Sequence, residues 1–415
     1  MSERPRTYLF LQGPISPYFR RLAERLTAAD PTARALRINL CFGDRLFWRR
    51  PGAVDYRGKP EDWPRFIDDF IATEGVTDVL LLGEQRDYHR AAAEAARRHG
   101  AQVIATDFGY LRPDWITFEL DGLTGASRFP RGPDEIRALA ALSPEPDLAI
   151  RYRDPFWRQT WMDVVYHFGA SLAWPLYPRY RSHQPDRPIA TYLGTGLRLL
   201  LQKRRARAAE AEIDAAEARA GATFVLPLQI ERDFSLRAYS PFPDLATVIR
   251  DVVGSFARHA APDARLVVKV HPLDPGLKSW KRVAMEAARA GGVEGRVSYI
   301  DGGDLARLIR ASAGVVVVNS TVGMLSLQLG APTIALGRAI YDVPGLTAEC
   351  GLDAFWQAPA APDADLVADF VKAVAATVLV RGTYYSEPGL TAAVEGSAAR
   401  LLERAVNRPL ALAAE

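Results

Sequence analysis

Phe224-Val225-Leu226-Pro227-Leu228 running into Gln229-Ile230-Glu231-Arg232-Asp233, Leu266-Val267-Val268-Lys269-Val270 running into His271-Pro272, and Val315-Val316-Val317-Val318 running into Asn319-Ser320-Thr321-Val322-Gly323 decide the fold class. Each is a short apolar run ending in polar residues. Runs of this kind without alternation suit strands buried on both faces of a parallel sheet. In an open α/β sheet the loops at the carboxyl ends of parallel strands share one crevice, so three polar exits converge on one ligand. That layout suits a nucleotide-sugar site.

Working outward, strand and helix patterns alternate. Residues 8–11 read as a first buried strand, with Gln12-Gly13-Pro14 as its exit and a helix over 17–28 carrying Phe19, Leu22, Ala23 and Leu26 on one face. Further strands are expected at 37–40, 79–82 and 103–105, with an Ala-rich helix over 87–99. Aromatics and prolines crowd 154–188, which reads as irregular structure or short helices, and a long helix follows over 195–220. Helices at 244–260, 304–313, 362–380 and 391–404 complete the pattern, with no internal repeat. The expected architecture is α/β, two Rossmann-like domains facing a cleft, as in glycosyltransferases of the B type. Its parts are an acceptor-side domain over 1–190, an interdomain helix over 191–221, a nucleotide-sugar domain over 222–380, and a segment over 381–415 that packs back on the first domain.

Length and composition agree with this division. A chain of 415 residues, 48% of them hydrophobic, is long for one core and builds two domains of roughly 150 to 200 residues each. With 52 basic against 49 acidic side chains and a formal charge of +3, nothing argues for a nucleic-acid partner. Cys41 and Cys350 lack metal-ligand spacing and make no disulfide framework. The first residues do not read as a signal peptide and no uncharged stretch of about 18 residues occurs, so the expected location is the cytoplasm, with peripheral contact at the inner membrane.

Each polar exit has a structural and a chemical interpretation. Asn319 to Gly323 is a strand-to-helix turn with a Ser or Thr cap, or a phosphate site in which backbone amides and the Ser320 and Thr321 hydroxyls meet the anion and Gly323 allows close approach. His271-Pro272 ends a strand, or holds an imidazole against a leaving phosphate. Asp233 caps a helix or pairs with a neighbouring arginine, or serves as the nucleophile of a covalent glycosyl transfer.

Together with Phe10-Leu11-Gln12-Gly13-Pro14, Gly43-Asp44, the stretch from Gly83 to His89, Gly109-Tyr110-Leu111-Arg112-Pro113, the run from Ala339 to Thr347 and the stretch from Gly382 to Tyr385, these exits resemble the bacterial capsule-polysaccharide synthesis family of retaining β-Kdo glycosyltransferases, in its single-module, glycolipid-priming form. The resemblance spans nearly the whole chain. It implies CMP-Kdo as donor substrate, with Gln229, Lys269, Pro272, Asn319, Ser320, Thr321 and Gly323 around the nucleotide, His271 on its phosphate and Asp233 attacking the anomeric carbon. It implies no cofactor and no metal, since a monophosphate leaving group asks less charge neutralisation than a diphosphate. The second step needs a general base, and here the sequence departs from the family pattern: Thr106-Asp107-Phe108 precedes Gly109-Tyr110, so Asp107 replaces a Glu with a shorter reach or the role falls to Glu119, while a turn carboxylate and a surface acid are equally good interpretations of the two. Gln12, Arg86, His89 and Arg112 are the candidates for acceptor or sugar binding, with Glu84 in the acidic place of a Gly-Asp-x-Arg-x-x-His pattern.

The implied partners are a CMP-sugar donor, a glycolipid or oligosaccharide acceptor, and the inner membrane and capsule export machinery as peripheral contacts. The segment with Arg198, Lys203, Arg204, Arg205 and Arg207 either touches lipid headgroups or is the solvated face of an interdomain helix, and the latter is favoured. The aromatics from Trp157 to Tyr180 either pack in the core or dock on lipid, and packing is favoured. Two alternatives stand beside the Kdo transferase: a glycosyltransferase for another CMP-sugar, and an inactive nucleotide-binding scaffold of the capsule assembly.

Overall fold

The computed structural model describes residues 5–182, 188–219 and 221–410, and the side chains of 188–193, 195 and 197–204 are outside that description. Arg198, Lys203 and Arg204 of the expected basic segment therefore lie outside the described residues. The chain forms two compact units, one of residues 1–129, 139–183 and 371–415, the other of 130–138 and 184–370.

The first unit holds β1 (Thr7–Phe10), β2 (Arg34–Asn39), β3 (Ala53–Asp55), β4 (Asp78–Leu82), β5 (Gln102–Phe108) and β6 (Trp115–Leu120). The second holds β7 (Thr223–Pro227), β8 (Arg265–Lys269), β9 (Val297–Ile300), β10 (Gly314–Val317) and β11 (Thr333–Ala335), and the chain then returns to the first sheet as β12 (Leu379–Arg381). The sheet orders are β12-β6-β5-β4-β1-β2-β3 and β11-β10-β7-β8-β9. The second sheet is parallel throughout, and in the first only β6 breaks the parallel run, lying antiparallel to both β5 and β12. Both units are Rossmann-like, so the α/β class expected from the apolar runs is the class observed.

Burial on both faces explains the uninterrupted apolar strands. In β1, Tyr8 and Phe10 pack with Tyr18, Phe19, Leu22 and Leu26 of the helix Tyr18–Ala29 and with Leu390 and Val394 of the helix Gly389–Leu402. Leu9 and Leu11 point the other way, onto Ile67 and Ile71 of the helix Trp63–Glu74 and Ala92 and Ala96 of the helix Asp87–Arg98. In the second unit Phe224, Leu226, Leu266, Val268 and Val316 share one core with Val248, Val252 and Phe256 of the helix Leu245–His259.

The units partition the chain differently from the expected boundaries. Residues 371–380 join the first unit because β12 takes β6 as its hydrogen-bonding partner. Arg400 secures that return: it is buried and donates to the carbonyls of Ala376, Thr377, Leu379, Ala405 and Arg408. These include carbonyls at the end of the helix Ala364–Thr377, where a cation meets the negative end of the helix dipole. The helix Pro188–Glu217 belongs to the second unit, where Arg205 pairs with Asp301 at 2.8 Å and Glu210, Asp214 and Glu217 gather on Arg307.

One stretch departs from expectation. Instead of irregular structure or several short helices, residues 156–172 form a single helix, Phe156–Leu172, followed by a short turn at Trp174–Leu176. It packs on the helix Phe42–Trp48 through Tyr166 against Gly43 and Gly169 against Leu46, and its tryptophans stay outside the core.

Candidate functional site

In the second sheet the chain order reverses between β7 and β10, the switch point at which open α/β sheets leave a crevice. The residues just past these strands are Gln229 and Asn319, both buried and bound to each other. Gln229 Nε2 donates to Asn319 Oδ1 at 2.9 Å, and the Asn319 backbone N–H donates to Gln229 Oε1 at 3.3 Å. Asn319 Nδ2 then donates to the Ser235 carbonyl at 2.7 Å. Two signatures ninety positions apart are thus joined by a buried amide pair, the kind of satisfied polar network that fixes one geometry.

Ser235 passes that geometry on. Its backbone N–H and hydroxyl donate to Asp233 Oδ1 at 2.9 and 2.8 Å, and Asp233 caps the short helix Phe234–Ala238. Asp233 is exposed, and its Oδ2 makes no hydrogen bond to a described residue. One carboxylate oxygen is oriented and the other is open, so the capping and nucleophilic interpretations are compatible in one side chain.

The other exits are more heavily engaged. His271 is half-buried beyond β8, and its Nδ1 accepts from the Leu273 N–H at 3.0 Å, which leaves the neutral-ring proton on Nε2. Pro272 is exposed. Lys269 donates its ammonium to the Gly302 carbonyl beyond β9, and burial lowers its pKa. Ser320 Oγ accepts from the Val322 N–H at 3.2 Å, and the Ser320 carbonyl accepts from Tyr341 Oη at 2.5 Å. Thr321 precedes the helix Val322–Gln328 and makes no side-chain cap. Gly323 has a different reason from the one expected. A Cβ there would lie 2.3 Å from the Tyr341 ring, so the missing side chain admits Tyr341 and not a ligand.

In the first sheet the reversal lies between β1 and β4. Gln12, just past β1, is buried and points its Nε2 at Asp44 Oδ2 (3.1 Å), Tyr166 Oη (3.0 Å) and Tyr180 Oη (3.3 Å). Asp44 also accepts from the Leu40 and Cys41 N–H groups and from Tyr166, and it pairs with the buried Arg37 at 3.3 Å. Burial drives the Cys41 thiol strongly up, so it is an unreactive hydrogen-bonding group on Tyr166.

Past β4, Arg86 lies near enough to Asp107, Tyr166, Tyr180 and Asp44 to feel each of them, while burial lowers its pKa. Asp107, at the end of β5, is half-buried and its Oδ1 accepts from the Phe108 N–H at 2.7 Å. Arg112 is exposed, with its guanidinium over the Phe108 ring.

Two expected site residues have other work. His89 is fully buried, and its Nδ1 lies 3.1 and 2.8 Å from the Leu82 and Gly83 carbonyls. Burial, then the Arg86 charge, pushes its pKa down to about 3, so it is neutral and brings no positive charge to a sugar carboxylate. It braces the β4 exit, where Gly83 holds a φ of 65° that other residues resist. Glu119 is also fully buried, paired with Ala105 across β5 and β6, and accepts from Tyr110 Oη at 2.6 Å and from the Ser127 hydroxyl. Burial pushes its pKa up to about 8. It therefore carries a proton at neutral pH, the opposite of what a general base requires.

Among the described residues no three His, Cys, Asp or Glu side chains come together as ligands for a metal ion. The sequence pattern of the family described as capsule polysaccharide biosynthesis protein matches residues 77–385. The chain belongs to that family. The capsule polysaccharide modification protein LipB of Neisseria meningitidis is 30% identical over 399 residues, covering 93% of each chain. The capsule polysaccharide export protein KpsS of Escherichia coli is 29% identical over 391 residues, covering 91% of this chain and 96% of its own. Among solved structures, the Thermosulfurimonas dismutans KpsC β-Kdo 2,7 transferase aligns over 94% of this chain and 98% of its own at 14% identity, with a TM-score of 0.47.

Sequence reasoning singled out Gln229 and Asn319 separately and did not foresee that they bind one another. The sequence pattern assigns no role to Asp44 and does not point to Arg37, Tyr166 and Tyr180 as its companions around Gln12. A signal existed for Asp44, an acid opening a helix just after a buried strand. Tyr166 and Tyr180 carry none, because only the helix shows that Tyr166 turns inward and only the chain path beyond it brings Tyr180 to Gln12.

Proposed function

We propose that the chain is a retaining β-Kdo transferase that moves Kdo from CMP-Kdo to a lysophosphatidylglycerol-type or Kdo-terminated acceptor in capsular polysaccharide biosynthesis. The observation that carries this is the hydrogen-bonded series Gln229, Asn319, Ser235, Asp233 at the switch point of the second sheet. It ties two of the family-like signatures to a carboxylate with one oriented and one open oxygen.

In the first step Asp233 Oδ2 attacks the anomeric carbon of Kdo, and the bond to the CMP phosphate oxygen breaks with its electron pair leaving on CMP. His271, with its proton on Nε2, donates a hydrogen bond to that phosphate. In the second step an acceptor hydroxyl attacks the same carbon, the bond to Asp233 breaks, and a base takes the hydroxyl proton. Two inversions give net retention. Asp107 suits the base better than Glu119, since it is half-buried at a strand's carboxyl end and Glu119 holds its own proton. The chemistry proceeds without a divalent ion, so EDTA is expected to leave turnover unchanged.

The test is intact-protein mass spectrometry of wild type and Asp233→Ala after incubation with CMP-Kdo generated in situ, with CMP release followed in parallel. A Kdo-sized adduct on wild type, absent from the variant and discharged by lysophosphatidylglycerol, is expected. CMP binding with neither adduct nor turnover would favour the scaffold alternative.

A further inference from the structure

Between the helix Phe42–Trp48 and β3 the first unit carries a cleft of about 450 Å³, whose polar lining is Asn39, Arg45, Trp48, Arg49, Arg50 and Asp55. Its donors outnumber its acceptors. Asp55 is already engaged by Asn39 Nδ2 at 2.9 Å, Arg45 at 3.1 Å and Arg57 at 3.4 Å. Arg49 and Arg50 pair with no carboxylate among the described residues, and Arg50 reaches only the Thr27 hydroxyl, at 3.4 Å. Two buried donors have no acceptor at all among the described residues: the indole Nε1 of Trp48, a residue only 2% exposed, and Arg50 Nη1. A buried N–H left without an acceptor is rare in a folded protein and marks a place where a partner is missing. Arg49 also holds a φ of 49°, a conformation that favours glycine, yet the position carries a long cation. Arginines after a helix commonly face the negative end of its dipole. That role supplies carbonyl acceptors, and Arg50 Nη1 has none.

We propose that this cleft binds a phosphate dianion, free or as a small monoester. The two guanidinium groups without a carboxylate match two negative charges, and a phosphate presents acceptor oxygens enough for the Trp48, Arg49 and Arg50 donors together. A carboxylate brings half the charge, and one water would satisfy the indole but leave both cations uncompensated. A nucleobase finds no stacking surface, because the Trp48 ring is buried beneath Arg37 and Arg50, each 5.8 Å from its centroid. Arg37 joins the cleft to the Gln12 cluster, donating to Asn39 Oδ1 at 3.3 Å and pairing with Asp44 at 3.3 Å. The site goes beyond the transferase proposal and is read out by binding alone, with no CMP-sugar present.

The test is isothermal titration calorimetry of the full chain with inorganic phosphate and with glycerol 3-phosphate, at mildly alkaline pH and an ionic strength held constant with sodium chloride. Saturable binding to wild type is expected. Arg49→Glu and Trp48→Phe should each weaken it by about tenfold or more, the loss of one charge-assisted hydrogen bond. Arg49 is exposed, so Arg49→Glu keeps the proposal testable even if Trp48→Phe impairs folding. Asp55→Asn removes the one negative charge of the lining and should tighten binding several-fold. Arg65→Ala, at a far more exposed cation of the same unit outside the cleft, should leave it unchanged. Tighter binding of inorganic phosphate than of glycerol 3-phosphate would assign the site to the free ion, and the reverse order to an ester; either supports the dianion. Dimethyl phosphate, a monoanion, should bind about tenfold or more weaker. Absence of phosphate binding, undiminished binding to Arg49→Glu, or equal affinity for dimethyl phosphate would overturn the proposal.

Discussion

Replacing Glu119 by Gln should change how stability depends on pH in a calculable way. The carboxyl ionises near 4.5 in an open chain and at about 8 in the folded protein, where burial is the chief cause and the nearby Glu84 pushes in the same direction. Between those values the folded state holds a proton that the unfolded state has released. Raising pH through this window therefore costs stability, the reverse of the usual carboxylate, whose folded pKa is depressed. One extra bound proton corresponds to a slope of about −1.4 kcal/mol per pH unit, or on the order of 5 kcal/mol across the window. Glutamine preserves the shape and can accept from one hydroxyl and donate to the other, so Glu119→Gln should fold and lack that slope. Urea unfolding followed by tryptophan fluorescence at half-unit steps from pH 5 to 8.5 would measure it. Subtracting the variant's curve from that of wild type removes the contribution of every other group. A difference in slope below about 0.3 kcal/mol per unit would refute the assignment of a proton to Glu119, since one full proton requires about 1.4.

Asn319→Ala should destabilise by about 1–3 kcal/mol, because it leaves the buried Gln229 Nε2 without its acceptor. A double-mutant cycle with Gln229→Ala by urea denaturation should give a coupling of about 1 kcal/mol. Gly323→Ala places a methyl against the Tyr341 ring and should lower stability by about 1–3 kcal/mol in the same assay. Asp44→Ala leaves the buried Arg37 without its counter-ion and should cost about 3–5 kcal/mol, with lower soluble yield as a second readout.

The parallel strands were legible because burial on both faces leaves an unbroken apolar run, and Phe224 to Leu228 can scarcely be anything else. β6 was not, because Trp115-Ile116-Thr117-Phe118-Glu119-Leu120 puts a charged residue at a position that the fold buries. Glu119 looked like a surface acid for that reason. Gly323 misled in another way: a glycine after a strand has many causes, and the ring that needs the space sits eighteen positions downstream. The helix Phe156–Leu172 was hidden by its own pattern. A stripe of tryptophan, valine, phenylalanine and leucine signals an inward face, and here that face is the outer one.

The return of β12 to the first sheet has a consequence for biogenesis. As the chain leaves the ribosome, the first unit's opening strands emerge early but its closing strand and the Arg400 anchor come last, after every residue of the second unit. Maturation is therefore nested: the second unit can finish while the first waits with β6 as its uncovered edge in place of β12. A nonsense mutation removing only the final tenth or so of the chain would strike the beginning of the fold as well as its end, by exposing that edge to aggregation.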